Sequence, residues 1–315
     1  MSILTSITSI RIGARSSKLS LRQVDEVAAA LRAIDSDIAI EIAPMSTLGD
    51  RNLDSPLPEL GGKGAFTSEI ERALIEGEID LAVHSLKDLP VLEANGVIVG
   101  AVLQRATVSD VMISRGGARL ANLPAGAAVG TSSLRRAAQI RRVRPDLQMP
   151  SIRGNVETRL RKLDDPHGPY QAIVLAAAGL ERLDLANRIT EVLPTGLMLP
   201  APGQGAIAIQ CLETYAGRDL LGAIDHRSTR FAVTAERAFL HALGGGCSAP
   251  VASFASLEGD LLHLHGRVLS LDGSEVVDIE VVGRCTDLAA AADIGVGLAG
   301  QAISNGADRI LEAIA

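Results

Sequence analysis

Tryptophan is absent from this chain, and aromatic residues make up only 2% of its 315 residues. The apolar content of 47% therefore comes mainly from aliphatic side chains, and it is typical of a globular protein rather than a disordered one. No uncharged apolar stretch reaches the roughly 18 to 20 residues that a membrane span needs. Residues 1–10 show no basic segment followed by an apolar run, which argues against a signal peptide. We expect a soluble, cytoplasmic protein with no membrane partner.

Cysteine is also scarce, with Cys211, Cys247 and Cys285 widely spaced along the chain. Three is an odd number, which argues against a disulfide framework, and no cysteine or histidine spacing typical of zinc is present, so no metal is expected. Cys211 and Cys285 are interpreted as buried core residues. Cys247 lies between Gly-Gly-Gly and Ser-Ala-Pro, on a loop with room for a bulky adduct. It is the best candidate for a reactive thiol.

The charge is unevenly distributed, because the net charge is −7 while residues 135–162 contain nine Arg or Lys residues. A basic segment in an acidic protein indicates a local anionic partner with several carboxylates or phosphates. The segment holds no Phe, Tyr or Trp that could stack on bases, so we expect no nucleic-acid partner.

Strand and helix patterns alternate over the first two thirds of the chain, which favours an α/β fold with largely parallel sheets. Ser68-x-x-Glu71 predicts a capping box at the start of a helix. After about residue 221 the pattern is that of a small α+β domain, with a hairpin turn at Asp272-Gly273. The predicted strands are residues 38–42, 79–83, 97–102, 111–113, 127–129, 172–175, 206–211, 261–268 and 275–282. The predicted helices include residues 134–143, 155–162, 229–243 and 287–305.

One candidate site is the sequence Val-His-Ser-Leu-Lys-Asp-Leu-Pro at residues 83–90, where an apolar strand runs into ionisable side chains. Lys87 is suited to binding an anion, and Asp88 to stabilising positive charge or moving a proton. A strand end followed by an ordinary capped turn would look the same, so both interpretations stay open.

A second candidate is Gly-Thr-Ser-Ser-Leu-Arg-Arg at residues 130–136, a strand end that leads into a helix. Backbone N–H groups at a helix start bind anions, and Arg135 and Arg136 add bidentate donors. The alternative is a hydroxyl N-cap with solvated arginines. The turn Arg153-Gly-Asn, followed by Arg159, has a sequence suited to directing a guanidinium group into a cleft.

Taken in order, these motifs resemble those of the porphobilinogen deaminase family, also called hydroxymethylbilane synthase. The matching set extends from residue 11 to about residue 250, and its order makes it specific although each motif alone is weak. The motifs are Arg15-x-Ser17, Gly61-Gly-Lys-Gly-x-Phe66, His84-Ser-x-Lys-Asp88, Gly130-Thr-Ser-Ser-x-Arg-Arg136, Arg153-Gly-Asn155, Gly203-Gln-Gly205 and Gly245-Gly-Cys247.

The resemblance implies two α/β domains like the lobes of periplasmic binding proteins, followed by a small α+β domain. Residues 1–104 and 202–222 would form domain 1, residues 105–201 domain 2, and residues 223–315 domain 3. It also implies a monomeric deaminating transferase of haem biosynthesis, which joins four porphobilinogen molecules head to tail into hydroxymethylbilane. The primer would be a dipyrromethane cofactor attached to Cys247 through a thioether.

The resemblance further implies a role for each matching residue, with Asp88 as the catalytic carboxylate. The cofactor would be bound by Ser85, Lys87, Thr131, Ser132, Ser133, Arg135, Arg136, Gly154 and Arg159. The substrate porphobilinogen would be bound by Arg15, Ser17, Lys63, Phe66, Arg153, Arg182 and Gln204. The chain departs from the family pattern at Leu48, Glu59 and Ser109, which affects loop and substrate contacts rather than the reaction.

Two other classes of function stay open at this point. A two-lobed anion-binding module would leave Cys247 without a role, although the missing export signal argues against its periplasmic form. A conventional thiol enzyme would need His84 or His241 as the base, and neither lies in a sequence context typical of one.

Overall fold

The structure is a computed structural model that describes residues 7–47, 67–244 and 249–314. Lys63, Phe66 and Cys247 lie outside the described residues, as do the departures at Leu48 and Glu59. The chain divides into two compact units, the first formed by Met1–Arg105 with Ala206–Arg230 and the second by Ala106–Gly205 with Phe231–Ala315. The division into three domains stays a prediction.

The described elements follow the alternating order that the sequence predicts. The strands are β1 Ser9–Arg15, β2 Ala39–Met45, β3 Leu81–Ser85, β4 Val97–Val102, β5 Asp110–Ser114, β6 Val129–Gly130, β7 Ala172–Ala176, β8 Glu191–Val192, β9 Ile207–Leu212, β10 Val251–Glu258, β11 Leu261–Leu269 and β12 Val276–Arg284. The helices are α1 Lys18–Ile34, α2 Ser68–Ile75, α3 Leu134–Val143, α4 Val156–Asp164, α5 Ala177–Arg182, α6 Arg218–Ile224, α7 Arg227–Ala242, α8 Leu288–Ser304 and α9 Ala307–Glu312.

The first unit is built on a five-stranded sheet in the order β2-β1-β3-β9-β4. Strand β1 runs parallel to β2 and β3, whereas β9 runs antiparallel to β3 and β4. Four of the five strands therefore run in the same direction, as the prediction of a largely parallel sheet requires, and β9 runs against them. The reversed strand belongs to the second segment of the unit, which inserts β9 between two strands of the first segment. Helix α1 covers the sheet, with Val24, Val27 and Leu31 in one apolar cluster with Ile10 and Ile12.

The second unit contains a four-stranded sheet in the order β6-β7-β5-β8 and a separate sheet β10-β11-β12. Only β6 and β7 pair in parallel in the first of these, and the second is wholly antiparallel. Helix α8 packs against β11 and β12. The predicted hairpin is confirmed, because Gly273 between β11 and β12 has a φ of 76°. The fold class, α/β with a small α+β C-terminal part, is confirmed as well.

Helix starts show where local patterns succeed and fail. Helix α3 matches the predicted bounds, and the Ser133 hydroxyl accepts from the Arg136 N–H at 3.4 Å as the predicted N-cap. The predicted capping box at Ser68 is wrong, because Thr67 is the N-cap of α2 and Ser68 is its first helical residue. The helix starts one residue too early for the Ser68 hydroxyl to serve as the cap.

In the described part of the chain, no helix is both long enough and apolar enough to cross a membrane.

Candidate functional site

In the first unit, the predicted catalytic motif lies where β3 ends. A single 3₁₀ turn, Leu86–Asp88, follows the strand, and the buried Leu86 fixes it to the core. Ser85 is held from the side by Gln23 of α1, whose Nε2 donates to the Ser85 Oγ at 2.8 Å. Lys87 is half-buried and Asp88 is exposed to solvent. The turn thus presents Asp88 on a fixed support.

A small cavity in the first unit brings Arg15 and Asp88 together. Arg15 ends β1 and Asp88 follows β3, and these two strands are parallel neighbours, so both side chains reach the same edge of the sheet. Ser17 lies beside this edge as the N-cap of α1, where its Oγ accepts from the Ser20 N–H at 3.3 Å. The cavity is lined by Arg15, Ser20, Thr67, Val83, His84, Ser85 and Asp88.

His84 contributes a buried neutral imidazole to this cavity. Burial lowers the pKa of His84 to about 4; the charge of Arg15 acts in the same direction, and the side chain of Gln210 opposes it. Within the described residues, the His84 Nε2 and the Thr67 Oγ1 have no hydrogen-bond partner. The ring is therefore uncharged near neutral pH. It adds a neutral polar atom to a cavity whose charged groups are Arg15 and Asp88.

In the second unit, the structure brings two of the predicted motifs together. The Ser132 Oγ lies 2.8 Å from the Ser151 Oγ and donates to the Ile152 carbonyl at 2.7 Å. The Ser133 N–H donates to the Thr131 Oγ1 at 3.2 Å. The hydroxyl-rich start of α3 is thereby joined to the loop that carries Arg153.

That loop is itself closed by the start of α4. Gly154 has a φ of 113°, a conformation that favours glycine, and its carbonyl accepts from the Arg159 Nε at 2.8 Å. The Lys162 Nζ donates to the Arg153 carbonyl at 3.1 Å. Arg153 and Arg159 are both half-buried. Two guanidinium groups therefore lie on one braced turn.

Arg135 and Arg136 are buried and share one carboxylate, that of Asp110 at the start of β5. The Arg135 Nη1 donates to Asp110 Oδ2 at 2.7 Å, and the Arg136 Nη2 donates to Oδ1 at 2.7 Å. Further donors of the pair bind the Leu199 carbonyl at 2.7 Å and the Val174 carbonyl at 3.0 Å. The arginines are only 5% and 6% exposed, so they are not the solvated pair of the alternative interpretation.

Gln204 joins the same carboxylate. Its Nε2 donates to Asp110 Oδ1 at 3.0 Å and to the Val108 carbonyl at 2.7 Å. The next residue, Gly205, has a φ of 86°, and a Cβ there would lie 2.7 Å from the Ala106 carbonyl oxygen. The Arg182 Nη2 donates to the Gly205 carbonyl at 3.3 Å. We call Asp110, Arg135, Arg136 and Gln204 the Asp110 cluster.

Electrostatics keep the Asp110 cluster ionised. Burial raises the pKa of Asp110, but the charges of Arg135 and Arg136 and their hydrogen bonds outweigh it and hold the pKa well below its usual range. A lowered carboxyl pKa means that the pairing stabilises the fold at all pH values above the ordinary carboxyl range. That contribution is lost only as the pH falls through the lowered pKa.

Sequence reasoning missed Asp110 and the buried Gln139 of α3. Asp110 opens an otherwise apolar strand, Asp-Val-Met-Ile, and an acidic residue in that position is a signal for a buried partner. Gln139 lies three residues after Arg136, on the same side of the helix. The sequence does not show which groups these residues bind, because their partners come from distant segments.

The two described cysteines, Cys211 and Cys285, are fully buried. Burial raises the pKa of Cys211 to about 11, so its thiol is protonated at neutral pH. The Cys285 Sγ contacts the Asp287 carbonyl at 3.6 Å. Their interpretation as core residues is confirmed. In the described part of the chain, no group of three or more His, Cys, Asp or Glu side chains could hold a metal ion.

These features define an α/β protein with hydroxyl and guanidinium groups gathered at helix starts, a class suited to anionic ligands. A family model described as porphobilinogen deaminase, dipyromethane cofactor binding domain, matches residues 10–217. A second, described as porphobilinogen deaminase, C-terminal domain, matches residues 230–303. The chain belongs to the porphobilinogen deaminase family.

Two relatives give the same assignment. The porphobilinogen deaminase of Geobacter metallireducens is 45% identical over 303 residues, which cover 96% of this chain and 93% of the relative. That of Syntrophobacter fumaroxidans is 45% identical over 306 residues, which cover 97% of each. The methionine-binding protein MetQ aligns with 70% of this chain and 89% of its own, at 13% identity and a TM-score of 0.42, which supports no inference.

The matches confirm the resemblance, the enzyme class, the reaction and the cofactor predicted from the sequence. The chain is a deaminating transferase of porphyrin biosynthesis that polymerises porphobilinogen into hydroxymethylbilane on dipyrromethane. The roles of individual residues are not tested by these matches and stay predictions.

The Asp110 cluster predicts a large loss of stability in Asp110→Asn, which keeps the side-chain size but removes the negative charge. Two buried guanidinium groups would be left without a counter-charge, at a cost of about 3–5 kcal/mol in the free energy of unfolding. Urea unfolding measures the loss. The control is Asp146→Asn, which removes the surface partner of Arg144 and should change little. Equal small effects in both variants would contradict the importance of the cluster.

The buried His84 predicts that stability decreases as the pH falls. In the unfolded chain a histidine binds a proton below about pH 6.5, whereas the folded ring stays neutral down to about 4. Protons therefore favour the unfolded chain in this window, and His84 should account for about 2 kcal/mol of lost stability between about pH 7 and about pH 5. The free energy of unfolding of His84→Gln should not show this decrease between the two pH values. That of His167→Gln, a substitution at an exposed site, should show the same decrease as the wild type.

Proposed function

We propose that Asp88 is the catalytic carboxylate of this deaminase and that Arg15 binds a carboxylate of the incoming porphobilinogen. The observation that carries this proposal is the cavity of the first unit, which places a guanidinium and an exposed carboxylate at one sheet edge. Arg15 suits the acetate or propionate group of the substrate, because guanidinium groups bind carboxylates through two parallel hydrogen bonds. Asp88 can stabilise the positive charge that develops on the pyrrole when ammonia leaves.

Groups in and next to the cavity define the surroundings of Asp88. The Ser85 hydroxyl, fixed by Gln23, adds a hydrogen-bonding group next to the substrate. Lys87 precedes Asp88 in the same turn and supplies a positive charge for a cofactor carboxylate. His84 stays neutral, so it adds no charge that would compete with the cationic pyrrole. Ser17 at the start of α1 is a proposed substrate contact.

The donors of the second unit fit a cofactor that carries several carboxylates. Thr131, Ser132 and Ser133 lie at the start of a ten-residue helix, where N–H groups favour anions. Arg153 and Arg159 add guanidinium groups on the adjoining turn, with Gly154 between them. When bound, dipyrromethane would supply the terminal pyrrole to which the first porphobilinogen is joined.

Three of the proposed ligand-binding residues also stabilise the fold, because their side chains bind Asp110. They are Arg135, Arg136 and Gln204. Within the described residues, both side-chain hydrogen bonds of Arg135 use Nη1. We propose that its Nε and Nη2 bind a carboxylate of the cofactor. Arg136 uses Nε, Nη1 and Nη2 internally, so its contribution to the cofactor is mainly its positive charge.

We propose Cys247 as the attachment point of the cofactor, through a thioether. The other two cysteines are buried, and that supports the assignment. Lys63, Phe66 and Arg182 complete the proposed substrate contacts. We further propose three domains with the predicted boundaries, and a cytoplasmic monomer that binds neither nucleic acid nor membranes, supported by the net charge of −7.

The cofactor assignment is tested by intact mass spectrometry of the protein as isolated. The mass should exceed that of the chain by two linked pyrroles, and the protein should colour with Ehrlich's reagent. Cys247→Ser should lose the adduct, whereas Cys211→Ala should keep it. On incubation with porphobilinogen, the wild type should release ammonia and give uroporphyrin I after acid oxidation. An active protein without the adduct would contradict the proposal.

The catalytic assignment predicts that Asp88→Asn keeps the cofactor adduct but loses about 10²–10⁴-fold in kcat, the range for a lost acid–base group. Its melting temperature should not change, because Asp88 is exposed. The matched control is Glu93→Gln, an exposed carboxylate in the same connection between β3 and β4. Comparable rates for the two variants would show that Asp88 is not the catalytic group.

A further inference from the structure

The antiparallel sheet β10-β11-β12 contacts helix α3 at its β11–β12 turn and on its face. At the turn, a Cβ on Gly273 would lie 2.5 Å from the Ala138 carbonyl oxygen, so the backbones are in direct contact. The Arg141 Nη1 donates to the Leu271 carbonyl at 2.8 Å. On the face of the sheet, Arg267 reaches Gln139 at 3.0 Å. The sheet therefore braces the helix that carries Arg135 and Arg136.

The Arg267 side chain is held in place by a residue of its own sheet. Its Nε and Nη2 bind the two oxygens of Asp278 on β12, at 3.0 and 2.8 Å, which leaves Nη1 for other partners. Burial raises the pKa of Asp278, but hydrogen bonds from His265 and Arg267 lower it to about 2. The pair is ionised near neutral pH, and the guanidinium plane is set by the bidentate geometry. The Arg267 side chain is 7% exposed.

Gln139 transfers this constraint to the backbone of Leu199. Its Oε1 accepts from the Arg267 Nη1 and from the Leu199 N–H at 2.8 Å. Its Nε2 donates to the Leu199 carbonyl at 3.1 Å. Both polar groups of one residue in the 197–201 segment are thus held by a single side chain that is 1% exposed.

The Leu199 carbonyl is also the second partner of Arg135. The Arg135 Nη1 donates to it and to Asp110, each at 2.7 Å. These two acceptors fix the direction in which Nη1 points, and so the plane of the guanidinium group. A continuous set of hydrogen bonds therefore runs from Asp278 through Arg267, Gln139 and Leu199 to Arg135.

We infer that Arg267 is a positioning residue for Arg135, acting through Gln139 and the Leu199 carbonyl. The inference rests on the proposed role of Arg135 in binding the cofactor. Arg267 touches neither substrate nor cofactor in this scheme. It holds the guanidinium group at the angle at which Nε and Nη2 meet a carboxylate of the bound cofactor. Small errors in the position of the groups at a catalytic site reduce rates strongly. A contact that holds Arg135 in place should therefore affect the rate of the reaction.

The test compares Arg267→Met, which removes the donors at similar length, with Arg309→Met. Arg309 pairs with Glu275 on the surface of the same C-terminal region and is the matched control. Arg267→Met should load cofactor normally by intact mass, and its kcat per loaded enzyme should fall about tenfold, with KM for porphobilinogen within about twofold of wild type. Arg309→Met should match wild type in both constants.

A second readout does not depend on activity. The Leu199 N–H is bonded to Gln139, so amide hydrogen exchange in residues 197–201 reports the link directly. Exchange there should be faster in Arg267→Met and unchanged in Arg309→Met. If Arg267→Met is too unstable to purify, Arg267→Lys keeps the charge beside Asp278 but loses the planar fork, and the same changes are expected. Wild-type kcat and wild-type exchange in the substituted protein would overturn the inference.

A double substitution separates this inference from the proposed function. Arg135→Lys keeps a positive charge for Asp110 but removes the guanidinium group. If Arg267 acts through Arg135, adding Arg267→Met to Arg135→Lys should lower kcat by less than about twofold more. A full additional tenfold loss would overturn the positioning role while leaving the role of Arg135 intact. Normal kcat in Arg135→Lys alone would instead contradict the proposed function of Arg135, and the inference with it.

Discussion

A single buried carboxylate, that of Asp110, determines how the second unit can arrange its cationic groups. Two guanidinium groups cannot be buried side by side without a counter-charge, because the cost of removing them from water exceeds any packing gain. Asp110 supplies that charge from the start of β5, and Gln204 occupies part of its remaining hydrogen-bonding capacity. The start of α3, the start of β5 and the 203–205 turn are thereby fixed to one point.

The arginines of the second unit and Asp88 of the first unit differ in how firmly they are held and how exposed they are. The second unit holds its arginines in internal hydrogen bonds, which orients them before any ligand arrives and reduces the entropy lost on binding. The first unit keeps Asp88 exposed on a short turn and places a neutral imidazole behind it. The proposed binding groups for carboxylates are therefore rigid and charged, whereas the proposed reactive carboxylate keeps access to solvent and protons.

The sequence predicted most helices and strands because these depend on local apolar spacing, as the exact bounds of α3 show. The candidate motifs stand out in the sequence, but Asp110 and the Arg267–Gln139 contact do not, because such partners are far apart in the chain. Mixed sheet direction was also missed, since it depends on where β9 inserts. The capping box failed by one residue, because Thr67 and Ser68 are both possible caps and local sequence does not choose between them.

The two hairpin turns of the C-terminal sheet each contain a glycine with a positive φ, but they differ in what they touch. Gly259, between β10 and β11, has open space where a Cβ would lie, whereas Gly273 lies against the backbone of α3. Hairpin turns usually accept inserted residues, so they are common places for length variation and for engineered tags. Of these two turns, we expect the one at Gly259 to accept inserted residues. A longer turn at Gly273 would displace the helix that carries the paired arginines.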